Sequence, residues 1–282
     1  MKLKEVFEKS LQFFKEKKIE NPRRDVEILI SRALKLERVQ LYLKYDQPLS
    51  ESEIQNCRDV IRRRALGEPV AYIVEEKGFY GETYKVGAGV LIPRPETEII
   101  VEEALKFIKL KEVKSPRVLD LGAGTGCIGF SILKNCEAAS LVSVEKSEAA
   151  FNYLKANQNL LGLEERSQLI LADVLEFGLE GQKFDVIVAN PPYISEQDTQ
   201  TELNVKKFEP HSALFSGADG FQALYSWTQV AKDFLSTPGV MLFEIGYQQG
   251  PKLKQHVAGF NQFQRIEILK DLSGLDRILI CT

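Results

Sequence analysis

The chain of 282 residues has room for one large or two modest domains of about 150 residues each. Hydrophobic residues at 44% and charged residues at 27% exclude disordered, collagen-like and low-complexity classes. The 37 basic side chains fall short of the 40 acidic ones, and a net charge of −3 disfavours a dedicated nucleic-acid binder.

Leu3, Val6, Phe7, Leu11 and Phe14 recur at helical spacing among lysines and glutamates and predict a first helix. Asn21 before Pro22 predicts an N-cap and a first-turn proline for a second, whose stripe is Val26, Leu29, Ile30, Ala33 and Leu34. Ser50-Glu51-Ser52-Glu53 has the form of a capping box opening a third helix, with Ile54, Val60 and Ile61 inward and Gly67 and Pro69 ending it. Residues 1–75 thus read as an all-helical domain. They carry 16 basic and 13 acidic side chains, against 21 and 27 in residues 76–282, so charge and pattern change together. The run Arg62-Arg63-Arg64 is open to two readings, a solvated helix face or part of a docking surface for an acidic or RNA-bearing partner.

Residues 76–90, with Phe79, Tyr80, Thr83, Tyr84 and Val86 among glycines, suit a β-hairpin linker. Beyond it the rhythm becomes strand, helix, strand. Short apolar runs predict strands at Arg117–Leu121, Ser140–Val144, Leu169–Ala172, Asp185–Ala189 and Val240–Glu244, with helical patterns near 95–109, 125–134, 147–161 and 221–235. Such alternation predicts a doubly wound parallel sheet, and Arg265–Leu269 with Arg277–Cys281 adds an antiparallel pair at its edge.

Cys57, Cys127, Cys136 and Cys281 form no Cys-x-x-Cys pair, and His211 and His256 are the only histidines, so a zinc site or a histidine-activated nucleophile is disfavoured. His211 reads as a loop residue. No 18 apolar residues run together, and the amino terminus is charged and amphipathic. The expectation is a reduced, soluble, cytoplasmic protein.

Asp120-Leu121-Gly122-Ala123-Gly124-Thr125-Gly126-Cys127-Ile128-Gly129 sits where a strand should feed a helix, and its glycines let the backbone turn against a ligand at the sheet's carboxyl edge. Gly124-x-Gly126-x-x-Gly129 matches a dinucleotide fingerprint, and Glu145 at the end of the next strand is placed to hold ribose hydroxyls. Asp120, read as a carboxylate at the mouth of the loop, would repel a pyrophosphate and favour a cationic ligand such as S-adenosylmethionine. Asp173, after the third strand, is open to two readings: acceptor for an adenine amino group, or turn cap.

Asn190-Pro191-Pro192-Tyr193 follows the predicted central strand at the topological switch point. An amide or aromatic amine is a poor nucleophile because its lone pair is delocalised. A methyl-transfer site must hold both its N–H groups on fixed acceptors, and the Asn190 side-chain oxygen and the Pro191 carbonyl are such a pair. Tyr193 is placed to stack on the planar group.

Ile92-Pro93-Arg94-Pro95-Glu96-Thr97-Glu98, the glycine loop, Asn190-Pro191-Pro192-Tyr193, Glu209-Pro210 through Asp219-Gly220, and Glu244-Ile245-Gly246 stand in the order found in the HemK/PrmC peptide-chain release factor glutamine methyltransferases. The chain resembles that family over nearly its whole length. The resemblance implies a class I S-adenosylmethionine-dependent methyltransferase fold, with residues 1–75 as a helical substrate-docking domain, 76–90 as linker and 91–282 as methyltransferase domain. It further implies transfer of a methyl group to the glutamine of the Gly-Gly-Gln motif in class-1 release factors, with S-adenosylhomocysteine as product and no membrane or direct nucleic-acid partner. Carried over by position, Gly122, Ala123, Gly124, Thr125, Gly126, Glu145, Asp173, Val174 and Asn190 would bind the cofactor, as the charge reading adds for Asp120. Asn190, Pro191, Pro192 and Tyr193 would bind the glutamine, with Asn190, Pro191 and Tyr193 catalytic. Two departures are mild: Cys127 follows the loop glycine where variable small residues are expected, and Glu145 stands where many relatives have Asp.

Arg94, Glu96 and Glu98 precede a helix and read mainly as its cap, with a wall of the substrate site as the lesser reading. Glu244, at sheet-edge height, is open between lining the pocket and standing apart from it. The same four-residue element occurs in amino-methyltransferases that act on adenine or cytosine. Against that alternative, residues 194–211 carry Glu196, Asp198, Glu202 and Glu209 but only Lys206 and Lys207, which is unsuited to a phosphate backbone.

Overall fold

A computed structural model describes residues 1–282 and divides into two compact units, Met1–Glu76 with Leu203–Phe208, and Lys77–Glu202 with Glu209–Thr282. No helix is long and apolar enough to cross a membrane.

The first unit contains α1 (Leu3–Glu16), α2 (Pro22–Leu34), α3 (Arg38–Leu43), α4 (Glu51–Ala65) and α5 (Val70–Val74). Their apolar stripes meet in a core that includes Phe7, Phe14, Leu29, Ile30, Leu41, Cys57 and Ile73. Ser50 caps α4 as expected: its hydroxyl accepts from the Glu53 N–H at 3.3 Å, and the Glu53 carboxylate accepts from the Ser50 N–H at 2.8 Å. Asn21 stands at the N-cap of α2 with Pro22 at the start of the helix, but its side chain makes no capping bond. The arginine run is not one solvated face. Arg64 pairs with the buried Asp25 at 2.7 Å and Arg63 with Glu68 at 2.6 Å, while Arg62 stays exposed. The short helix Leu203–Phe208 packs at the end of α4, where a Cβ on Gly67 would lie 2.3 Å from the Asn204 side chain.

The second unit opens with a hairpin, β1 (Glu76–Phe79) and β2 (Glu82–Lys85), turning on Tyr80 and Gly81, both at positive φ. It is built into the core and does not stand free. Tyr84 is buried with its hydroxyl 2.7 Å from Ser131 Oγ, and the Asn157 amide clamps the Lys85 N–H and C=O at 2.7 and 3.1 Å. In chain order there follow α6 (Glu98–Leu110), β3 (Arg117–Leu121), α7 (Cys127–Asn135), β4 (Ser140–Glu145), α8 (Glu148–Leu161), β5 (Ser167–Leu171) and β6 (Phe184–Ala189). The helix Leu203–Phe208 is α9, and α10 (His211–Leu214), α11 (Gln222–Phe234), β7 (Leu235–Glu244), α12 (Gly250–Ala258), β8 (Ile266–Lys270) and β9 (Asp276–Cys281) complete the unit.

The seven strands lie in the order β5-β4-β3-β6-β7-β9-β8, parallel through β7, with β9 antiparallel to both its neighbours. Side chains alternate between the two faces. Val118, Val186, Val188 and Leu242 meet Ile100, Ala104, Phe130 and Ile132 on one side. Leu119, Leu121, Ile187, Met241 and Phe243 meet Leu224, Ala231, Leu253 and Val257 on the other. Burial on both faces explains why these strands read as near-continuous apolar runs. It also leaves their carboxyl ends as the place where polar loops converge.

Candidate active site

A cavity of about 370 Å³ opens at the carboxyl ends of β3, β4 and β6. Gly122, Ala123, Gly124, Thr125, Glu145, Asp173, Val174, Asn190 and Pro192 line it. Asp120, Gly126, Pro191 and Tyr193 do not.

The loop after β3 needs glycine for stated reasons. Gly122 has φ +67°, and a Cβ there would stand 2.5 Å from the Trp227 ring. Gly126 has φ +81° and opens α7, with the Phe130 ring 2.3 Å from where a Cβ would be. Four of the loop's donors are already engaged, Thr125 N–H not being among them. Gly122 and Ala123 N–H groups donate to the Val144 carbonyl at 2.8 and 3.0 Å, Gly126 N–H to the Ala123 carbonyl at 2.8 Å, and Gly124 N–H to Glu145 Oε2 at 2.8 Å. The other Glu145 oxygen accepts from Ser147 N–H at 2.8 Å. Each carboxylate oxygen keeps a second lone pair for a hydroxyl.

Asp120 departs from its expected place. It is buried beneath the loop, where Oδ2 accepts from Gly129 N–H at 3.1 Å and Oδ1 has no partner. Burial, with the nearby Glu145 charge adding, pushes its carboxyl up to about 7. A carboxylate at the loop's mouth is therefore not what selects the ligand. Asp173 caps a turn, its Oδ1 accepting from Leu175 N–H at 2.9 Å, and the residue lines the cavity. Its Oδ2 accepts from Lys146 Nζ at 2.7 Å, which holds the carboxyl below its ordinary range.

Asn190 follows β6 at the cavity wall, with Nδ2 3.4 Å from Thr97 Oγ1. Thr97 Oγ1 donates to Glu244 Oε2 at 2.5 Å, and the Tyr193 hydroxyl donates to Glu244 Oε1 at 3.0 Å. Tyr193 thus faces a carboxylate, and burial beside that charge raises its hydroxyl far above the ordinary range. Its expected stacking role is not displayed: the residue does not line the cavity. Glu244 likewise stands behind the cavity wall, and burial raises its carboxyl despite the donors from Thr97 and Tyr193. The backbone leaving this element is held by Gln249, whose Nε2 donates to the Tyr193 and Gly220 carbonyls at 3.0 and 3.1 Å.

Residues 5–74 match the PrmC N-terminal domain and residues 103–217 the methyltransferase small domain. The chain is 35% identical over 284 residues to the release factor glutamine methyltransferase of Chlorobaculum tepidum, covering 98% of this chain and 96% of that one. It is 36% identical over 278 residues to the enzyme of the same name from Rhodopirellula baltica, covering 97% and 94%. The corresponding Clostridium acetobutylicum protein is 34% identical over 282 residues, covering 99% and 98%.

The chain belongs to the release factor glutamine methyltransferase family. The fold of its second unit is the class I S-adenosylmethionine-dependent methyltransferase fold. The same fold is shared with the hMettl16 catalytic domain in complex with MAT2A 3′UTR hairpin 6, at a TM-score of 0.57 and 14% identity, covering 79% of this chain and 81% of that one.

Several residues of this family member's site gave little signal in sequence. Thr97 and Trp227 line the cavity, and Asn157 Nδ2 ties the Thr125 carbonyl at 2.9 Å to the hairpin. Arg94 stands at the N-cap of the short turn Pro95–Thr97 without a side-chain capping bond, and it also lines the cavity; it pairs with Glu209, whose other oxygen accepts from Ile92 N–H at 3.1 Å. Glu98 accepts from Tyr80 N–H at 2.9 Å and so fixes the hairpin turn. His211 lies in the open, beside Glu196 at 3.3 Å and stacked on Phe215. A glycine loop announces itself by composition. A threonine that meets a glutamate 147 positions away does not.

Proposed function

We propose that this protein transfers a methyl group from S-adenosylmethionine to the side-chain amide nitrogen of the glutamine in the Gly-Gly-Gln motif of class-1 release factors. The observation that carries the reading is the Asn190 amide at the cavity wall, its nitrogen turned to Thr97 and its oxygen left without a protein donor. The Pro191 carbonyl, the next acceptor along the chain, is likewise left without one, although Pro191 itself does not line the cavity. These two oxygens are the acceptor pair that a planar NH₂ group requires.

The chain's donor set fits the cofactor. The loop amides of Gly122, Ala123, Gly124 and Gly126 are spent inside the protein, so they offer nothing to a pyrophosphate, whereas the Glu145 carboxylate retains acceptor capacity for a ribose diol. Asp173 and Lys146 stand at the same wall. When bound, S-adenosylmethionine supplies an electrophilic methyl carbon on a sulfonium.

Asn190 Oδ1 and the Pro191 carbonyl hold the two glutamine N–H groups, which aims the nitrogen lone pair and stabilises the positive charge that grows on it during attack. Holding both partners in line replaces a bimolecular encounter and supplies on the order of 7–11 kcal/mol. Val90, Ile128, Val174 and Trp227 give the cavity apolar walls. Tyr193 keeps its proton, committed to Glu244, so it is an anchor and not a base. The attacked nitrogen turns acidic only as the new bond forms and loses its proton late, to water.

The test is incubation with labelled cofactor and a class-1 release factor, followed by mass spectrometry of the tryptic peptide. A methyl on the motif glutamine supports the reading; methyl on nucleic acid, or on another residue, overturns it. Asn190→Ala lowers kcat by about 10²–10³ while leaving cofactor affinity within a few-fold, read from the fluorescence of Trp227, the chain's only tryptophan. Near-normal turnover removes the acceptor role.

A further inference from the structure

We infer that Thr97 and Glu244 are positioning residues that fix the rotation of the Asn190 side-chain amide, so that its oxygen and not its nitrogen is presented to the substrate. The inference deepens the proposed function and rests on it.

The argument is an accounting of protons. A threonine hydroxyl carries one proton, and an ionised carboxylate carries none. Thr97 Oγ1 and Glu244 Oε2 are 2.5 Å apart, and with Glu244 ionised the proton between them is the threonine's. That hydroxyl then has only lone pairs to offer the Asn190 amide 3.4 Å away, and only the NH₂ end of the amide can meet a lone pair. Rotating the amide by half a turn sets oxygen against oxygen and swings the NH₂ toward the substrate's own NH₂. Asn190 would then be a donor facing donors, and the site would repel the group it must hold.

Glu244 is placed to enforce this. It is buried at 1% exposure, at the end of β7, and its two oxygens are divided between Thr97 and Tyr193. The charged and titratable groups that face it are Glu96 beside Thr97, Cys127 at the start of α7, Tyr193 after β6, and Arg277 on β9. Arg277 is itself held by Asp271 at 2.9 Å. Were Glu244 protonated, it would donate to Thr97, the threonine proton would be released toward Asn190, and the amide would reverse. Neither Thr97 nor Glu244 touches the transferred group. Both act through Asn190.

Three variants of the full chain test this with a release factor as substrate: Thr97→Val, which keeps shape and loses the hydroxyl; Thr97→Ser, which keeps the hydroxyl; and Glu244→Gln, which places an NH₂ where only an acceptor stood. Cofactor affinity is read from Trp227 fluorescence and folding from thermal unfolding. Thr97→Val and Glu244→Gln are expected to lower kcat about 10–100-fold, with cofactor Kd changed by less than about threefold. Thr97→Ser is expected to recover kcat to within about threefold of the parent. The parent's kcat is expected to fall at acid pH as Glu244 takes up a proton, and Glu244→Gln is expected to lack that fall. If Thr97→Val and Glu244→Gln both retain more than about half the parent's kcat, or if Thr97→Ser is as impaired as Thr97→Val, the positioning role is wrong. A parent that binds the cofactor yet methylates no release factor defeats the proposed function instead, whatever the variants do.

Discussion

Asp120→Asn offers a direct measurement of what a buried carboxyl costs this fold. In the native protein the group has one hydrogen-bond donor, Gly129 N–H at 3.1 Å, and one oxygen with no partner, and burial pushes its pKa up from 3.8 to about 7. A folded-state pKa above the unfolded one means that the native state holds the proton more tightly. The stability this contributes is fully present below the unfolded value and is lost as pH rises through the folded one. Linkage across that interval gives a loss of about 2–3 kcal/mol between pH 5 and pH 8. Asparagine keeps an oxygen for Gly129 N–H and cannot ionise, so the variant lacks this term. The assay is urea unfolding of the cofactor-free protein at both pH values, followed by Trp227 fluorescence, which reports on the second unit. The parent minus variant difference should be larger at pH 5 than at pH 8 by about 2–3 kcal/mol, and cofactor affinity should change by less than about threefold because the residue does not line the cavity. Parallel stabilities, within about 0.5 kcal/mol at the two pH values, would refute the burial argument. A cofactor loss of tenfold or more would restore a direct charge contact.

Glu145→Ala strands the Gly124 and Ser147 N–H groups as well as removing the expected diol acceptor, so cofactor Kd should weaken at least tenfold, at about 1–3 kcal/mol per orphaned donor. Isothermal calorimetry reads it, and an unchanged Kd would mean the cofactor does not use this carboxylate. Gly126→Ala forces a side chain onto a residue at φ +81° with Phe130 and Leu154 atoms 2.3 and 2.7 Å from the new methyl, which should cost about 2–4 kcal/mol and lower the melting temperature by several degrees. A melting temperature within 1 °C of the parent's would show that the loop relaxes freely.

The strands at the centre of the sheet were legible because burial on both faces leaves an apolar signature: the expected Arg117–Leu121 coincides with β3. The antiparallel pair at the edge was legible from two short strands around the Asp271 turn, whose carboxylate accepts from the Ser273 and Leu275 N–H groups. The short helices α3, α5, α9 and α10 escaped notice, since four to six residues are too few for a 3.6-residue period to show. Asp120 was misplaced for a different reason. Composition put a carboxylate beside a glycine loop, but strand alternation decides which way it faces. It shares the side of β3 with Val118, toward the layer in which α7 lies, and is sealed there by Gly129. The link from Asn190 through Thr97 to Glu244 joins three separate stretches of chain, and no local pattern encodes it.

Asp120, Glu145 and Glu244 use one device at three depths: an acidic residue at the end of a strand holds a donor in place before any ligand arrives. The device has a consequence for selectivity. A pyrophosphate could be cradled by this glycine loop only if the N–H groups of Gly122, Ala123, Gly124 and Gly126 gave up their present acceptors. At about 1 kcal/mol net for each bond, that rearrangement costs roughly 4 kcal/mol, or about three orders of magnitude in affinity. The pyrophosphate would also have to lie against the Glu145 carboxylate at the cavity wall. A phosphate-free ligand with hydroxyls to donate meets neither cost. The same glycine spacing that in another fold context opens its amides toward a dinucleotide is here closed by one glutamate and two carbonyls, those of Val144 and Ala123, and it is this closure, more than any charge beneath the loop, that makes the site fit for an adenosyl cofactor.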